Sequence, residues 1–171
     1  FAKLFGHKIT PLFPSLTALI PQGYKESYWG ISLKNVAVSL VVGGNVVQNE
    51  FGDMDFTNGG IEGPIGFKIS RKAVHALKNS EKVDVLLDLK PAVETAQLKE
   101  RINREIVLNN SKNISVILKK LLPSRLVPLF IESNKDIQIN NMADKLKNWK
   151  FRIIDNVGYQ RCVVTAGGVS L

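Results

Sequence analysis

Apolar and polar residues alternate along three stretches of the chain, and a helical spacing takes over in a fourth. Val36, Val38, Leu40 and Val42 fall on one face of a strand over Ile31–Val42. Gly43-Gly44-Asn45 follows with residues tolerant of positive φ, as a hairpin needs, and Val46–Thr57 reads as the returning strand, with an interruption at Gly52. Near its end Asp53 and Asp55 alternate with Met54 and Phe56, which puts one face in water and argues for an antiparallel sheet. Val83, Val85, Leu87 and Leu89 alternate again, with Asp84 and Asp88 on the opposite, solvent side. Before these strands, Phe1–Thr10 is ambiguous, Pro11 and Pro14 break it, and Leu16–Ile20 reads as a short strand closed by the turn Pro21-Gln22-Gly23. Ile65, Ile69, Val74 and Leu77 make an apolar stripe on a helix over Pro64–Leu77.

From Lys90-Pro91 to about Trp149 the period is helical. Leu98, Ile102 and Ile106 recur every four residues, and Ile114, Ile117, Leu118, Leu121 and Leu122 fill a complete helical face. Asn113 is placed to cap that helix, Pro123 to stop it, and Ser124 to cap a short successor reaching about Ile131. Met142, Leu146 and Trp149 mark a fourth helix. Phe151–Ile154 and Tyr159–Thr165 return to strand character. The pattern therefore predicts an α+β fold of two lobes, a mainly antiparallel β-sheet or barrel with an inserted small helical bundle. The β lobe comprises residues 1–89 plus 150–171, with the helix at 64–78, and the helical lobe residues 90–149.

Composition narrows the class. The net charge of +8 allows an anionic partner, but Lys119-Lys120, Lys145, Lys147 and Lys150 are scattered over helices without interleaved aromatics, which makes nucleic acid an unlikely partner. A lone cysteine, Cys162, excludes an internal disulfide and implies a reducing compartment, so the expected location is cytoplasmic. One Cys and two His cannot build a Cys/His zinc cluster, and no stretch is long and apolar enough for a bilayer.

Candidate chemistry concentrates around Phe56–Ser70. Gly59, Gly60, Gly63 and Pro64 separate a strand from a helix, an arrangement that makes a tight turn and equally offers helix N–H groups and bare backbone to a ligand. The order strand, glycine turn, helix, strand is that of a dinucleotide-binding unit, but the fingerprint fails at its first position, where Asn58 precedes Gly60 and Gly63. His7 and His75 lack a local catalytic partner, and Cys162 reads as a small residue within a strand. Asp53 with Asp55, and Asp84 with Asp88, read as solvent-facing pairs. At the other end, Val163–Leu171 runs from a strand into the pair Gly167-Gly168, which reads as a cut within a longer chain.

Several motifs, in order, resemble one family. Ala2–Ile9, Pro14-Ser15-Leu16 with Leu19, Phe56-Thr57 with Gly60 and Gly63-Pro64, Asp88-Leu89 with Pro91, Leu121-Leu122-Pro123 and Val164–Val169 are similar to landmarks of bacterial FAD-dependent oxidoreductases of the aminoacetone-oxidase-like kind. In that family a domain of Rossmann type is interrupted by a long insert. Asn58 stands where many members have His, and Glu62 where many have Ser.

The resemblance implies that the chain is the excised, substrate-side insert of a larger flavoprotein. FAD would belong to the parent protein, with none expected on this fragment, which lacks the FAD fingerprint. The implied partners are the FAD-binding domain of the same parent chain and a small-molecule substrate, with no membrane. The implied cofactor-facing residues are Asn58, Gly59, Gly60 and Gly63 in one loop, and Ala166, Gly167 and Gly168 in a second on the same side of the β lobe. The alternative is a stand-alone basic β-barrel that binds nucleic acid or another anionic partner. Ends brought side by side would favour the insert.

Overall fold

A computed structural model describes residues 1–170. Six strands close into an antiparallel barrel, in the order β2 (Leu19–Pro21), β5 (Gly60–Glu62), β4 (Asn45–Thr57), β3 (Ile31–Val42), β6 (Val83–Asp88) and β7 (Trp149–Asn156), with β7 returning to β2. Outside it, β1 (Ile9–Ser15) and β8 (Val164–Val169) pair only with each other, as an antiparallel ribbon. The fold is α+β, as the alternation predicts.

The alternating residues point where their period says. Val36, Val38, Leu40, Met54, Phe56, Val83, Val85 and Leu87 are all buried. The β3–β4 hairpin turns through Gly43 and Gly44, both at positive φ. The interruption expected at Gly52 is absent: β4 runs unbroken through it, and the irregularity lies in the facing strand. Between Leu33 and Val36 the register skips, so β3 carries an extra residue, with Lys34 and Asn35 opposite Asp53. Asn35 adopts positive φ there, and its N–H donates to Asp53 Oδ1 at 3.1 Å while Lys34 pairs with Oδ2 at 2.9 Å. Asp53 is thus the clasp of a β-bulge.

Helix α1 (Gly63–Lys78) touches all six barrel strands, which places it across one end of the barrel. Ile65, Ile69, Ala73 and Val74 form its buried stripe. Toward the other end, Tyr28, Phe56, Trp149, Phe151 and Phe130 form an aromatic cluster with ring centroids 4.7–6.3 Å apart. Four helices separate β6 from β7: α2 (Thr95–Leu108), α3 (Ile114–Leu121), α4 (Leu126–Ser133) and α5 (Met142–Lys147). Asn113 caps α3 as its sequence position suggests, accepting from the N–H groups of Ser115 and Val116. Phe130 packs edge-on to Trp149 at 5.2 Å, so one apolar core runs from the barrel into these helices.

Five further expectations need correction. Trp149 does not belong to the fourth helix: α5 ends at Lys147, and Trp149 opens β7 as a buried core residue. Pro11 and Pro14 do not break the opening segment; both lie within β1, whose far edge carries no partner strand to miss their N–H. Leu16 sits at positive φ between β1 and β2, so the strand expected over Leu16–Ile20 starts only at Leu19. Tyr159–Arg161 is a turn, Cys162 follows it outside any strand with its thiol toward the Tyr159 carbonyl at 3.5 Å, and β8 begins at Val164. Ser124 does not cap α4, whose first turn follows Arg125 without a side-chain cap.

Candidate functional site

The Asn58 turn is built by the barrel rather than by the loop itself. Thr57 Oγ1 accepts the Gly59 N–H at 3.0 Å, and Tyr24 Oη lies 2.8 and 3.1 Å from the carbonyl oxygens of Thr57 and Gly60. Burial pushes the Tyr24 phenol well above its usual pKa, and the Glu62 charge adds to the rise, so the hydroxyl stays a neutral donor on these carbonyls. Asn58 itself is exposed at the tip. Its Oδ1 accepts from the Arg161 guanidinium at 2.9 Å, and Arg161 also stands 4.0 Å from Glu62. The result is a small polar surface of Asn58, Arg161 and Glu62 at the start of α1.

Tyr24 and Arg161 carry no signal in the sequence. One precedes the turn by more than thirty residues and the other follows it by about a hundred. Only barrel closure brings them to it.

The glycines of the turn are explained by protein packing. A Cβ on Gly60, at φ +126°, would stand 2.2 Å from the Leu19 carbonyl oxygen across the β5–β2 contact. One on Gly63 would meet the Asp55 carboxylate at 2.8 Å, and one on Gly59 the Glu62 carboxylate at 2.7 Å. These spaces are filled by the chain's own atoms. At these three glycines they leave no open cradle of the kind a dinucleotide needs.

Ala166, Gly167 and Gly168 are not a loop. They lie in β8, paired with β1 at Phe13 and Thr10, and Gly167 packs against the Pro11 carbonyl. Gly167 lines a groove beside the second half of α1, together with His75 and Lys78. Gly63 and His75 are separated by roughly 18 Å along the helix. The structure therefore does not bring the two expected cofactor-facing segments together: one is at the N-terminus of α1, the other along its C-terminal half.

The remaining candidates separate. His7 and His75 are both exposed, with His75 edge-on to Phe13 at 5.8 Å and beside Asn79. Asp84 is not a solvent-facing partner of Asp88. It is buried at 5% exposure and held by Arg152 and Lys150 of β7. Asp88 pairs with Lys147 at 2.7 Å. Among the described residues no three His, Cys, Asp or Glu side chains are placed to hold a metal ion, and no helix is long and apolar enough to cross a membrane.

Residues 14–164 match the family model described as HI0933-like protein barrel and H2TH domain. A ribosomal RNA dihydrouridine synthase of Haemophilus influenzae is 26% identical over 184 aligned positions, which cover 98% of this chain and 44% of the relative. A 3-dehydro-bile acid delta(4,6)-reductase of Clostridium scindens is 26% identical over 180 positions, with the same coverage of each chain. The chain spans less than half the length of these two relatives.

Proposed function

The chain belongs to the HI0933-like protein barrel and H2TH domain family, and on that premise we propose that it serves as the inserted, substrate-side domain of an FAD-dependent oxidoreductase. The observation that carries this reading is the β1–β8 ribbon. Ile9 pairs with Val169, and the Ser170 N–H donates to the Lys8 carbonyl at 2.8 Å, so the two ends leave the barrel side by side. A domain inserted into another needs that geometry. A free-standing binding module need not have it. The names of the two relatives support the same reading, since one is a reductase and the other makes a dihydro product.

In this proposal FAD is held by a domain of the parent protein outside this chain, and when bound it would supply the redox chemistry. The residues here would bind and orient the substrate, which the aminoacetone-oxidase-like resemblance suggests is a small molecule. Asn58, with its amide oxygen fixed by Arg161, is the side chain of the turn best placed to do so. Gly59, Gly60 and Gly63 shape the turn beneath it, and the helical segment, residues 90–149, would serve as a cover. Ala166–Gly168 would act by carrying the chain back to the FAD domain.

The test uses the full-length parent. Replacing residues 8–170 by a short linker should leave FAD bound and abolish turnover. Retained turnover would sink the proposal. In the intact parent, Asn58→Ala should lower turnover with the flavin content unchanged, and unchanged kinetics would remove Asn58 from the site.

A further inference from the structure

The groove beside α1 is a cavity of about 970 Å³, formed where the second half of α1 faces the β1–β8 ribbon on one side and the β3–β4 hairpin on the other. That volume is at the upper end of the range for small-molecule sites. Its walls divide by chemistry. Phe13 from the ribbon, with Val42 and Val47 from the hairpin, line it with apolar surface. Arg71, Lys72 and Lys78 line it with positive charge, and Glu81 is the one acid among the described lining residues.

How those cations are held is the informative part. Lys72 donates to the Val47 carbonyl at 3.0 Å, on the hairpin wall. Lys78 donates to the Leu12 carbonyl at 2.9 Å, on the ribbon wall, and lies 5.6 Å from the centre of the Phe13 ring. A carbonyl fixes an ammonium group without cancelling its charge, unlike the carboxylates that neutralise Lys25, Lys34 and Lys68 elsewhere on the surface. Arg71 has no ion-pair partner among the described residues. Two ammonium groups of α1 fixed to opposite walls and a guanidinium without an ion-pair partner outweigh Glu81 and the nearby Glu50 carboxylate, so the groove is net positive beside an apolar lining.

We propose that this groove binds an amphipathic organic anion, its carboxylate or equivalent group drawn to the positive lining that Arg71, Lys72 and Lys78 supply and its apolar body against Phe13, Val42 and Val47. The site lies along the half of α1 away from the Asn58 turn, and the proposal is independent of the parent protein's redox chemistry. A compact anion would satisfy the charge and waste the apolar wall. A neutral apolar molecule would leave the cations uncompensated. An amphipathic anion uses both.

Three probes separate these cases: octanoate, acetate and 1-octanol, titrated into the full-length parent protein and followed by backbone amide chemical shifts. Octanoate should shift the amides of Val47, Ala76 and Gly167 saturably, and acetate and 1-octanol should each bind at least about tenfold more weakly. Arg71→Glu, at an exposed position, should weaken octanoate by about tenfold or more, and so should Val47→Asp, which places a carboxylate in the apolar wall. Either variant decides if the other fails to fold. Octanoate shifts that do not saturate or fall outside the groove would overturn the proposal. So would acetate or 1-octanol binding as tightly as octanoate, or folded variants binding octanoate as the natural sequence does.

Discussion

The barrel and the ribbon are both antiparallel β-structure made from the same residue types, and they differ in what completes them. In the barrel every strand has two neighbours, and Leu19, Leu40, Met54, Phe56, Val83, Val85 and Leu87 are inaccessible to solvent. In the ribbon each strand has one neighbour, and Leu12, Val164 and Val169 remain 44–51% exposed. A two-stranded ribbon is marginal in water unless something packs on it. Here α1 covers one side of β1, through contacts such as His75 on Phe13 and the Lys78 bond to Leu12. The barrel is complete within this chain, whereas the ribbon presents apolar surface and open edges to whatever adjoins it.

The largest expected effect tests the barrel directly. Phe56 is fully buried and packs on Tyr24, Tyr28, Trp149 and Phe151, so Phe56→Ala should cost about 3–5 kcal/mol in denaturant unfolding. Leu12→Ser in the ribbon, at a half-exposed position, should stay within about 0.5 kcal/mol. Similar losses for the two would erase the distinction.

A matched pair of glycines sharpens it. Gly60 in the barrel and Gly167 in the ribbon both have positive φ, and a Cβ on either would stand 2.2 Å from a backbone carbonyl oxygen. The local insult is the same, so the outcome reads the surroundings. Gly60→Ala should lower global stability by about 3 kcal/mol. Gly167→Ala should release the ribbon, seen as faster amide exchange through β1 and β8 with barrel protection unchanged. Loss of barrel protection in Gly167→Ala would show that the two regions unfold as one.

The smallest effect concerns acid. Burial pushes the Asp84 carboxyl up, but its hydrogen bonds and ion pairs with Arg152 and Lys150 outweigh that and hold it below its usual value. A carboxyl depressed in the folded state contributes stability that is present above its unfolded pKa, near 3.9, and is lost as pH falls through the folded value. The unfolding midpoint should therefore decline below about pH 4, and Asp84→Asn should flatten that part of the profile. An unchanged acid limb would assign it to other carboxylates.

Local chemistry made much of this fold readable. The Gly43-Gly44 turn, the Asn113 cap, the α1 stripe and the alternation in β3 and β6 are each decided within a few residues. What was not readable depends on partners far along the chain. β5 is three residues long and has too little pattern to announce itself, and β2 shows only as the end of a longer expected strand, yet these two close the barrel. Asp84 looks like a surface acid until Arg152 is placed opposite it in the register. Pro11 and Pro14 look like breakers until β1 is seen to have a free edge. The candidate site suffered most, because its turn is visible in the sequence while Tyr24 and Arg161, which hold it, arrive from elsewhere.

The adjacency of β6 and β7 has a consequence for how this fold can change over generations. Leu87 pairs with Trp149, so everything between them is, to the barrel, one long hairpin connection. The entropic cost of closing such a connection rises only logarithmically, by about 0.6 kcal/mol for each doubling of its length. A gene can therefore gain or exchange helices at this point without moving a strand register, so long as an apolar side chain still covers Trp149 as Phe130 does. Descendants of the fold should differ in size here first, with the barrel passing unchanged from one to the next.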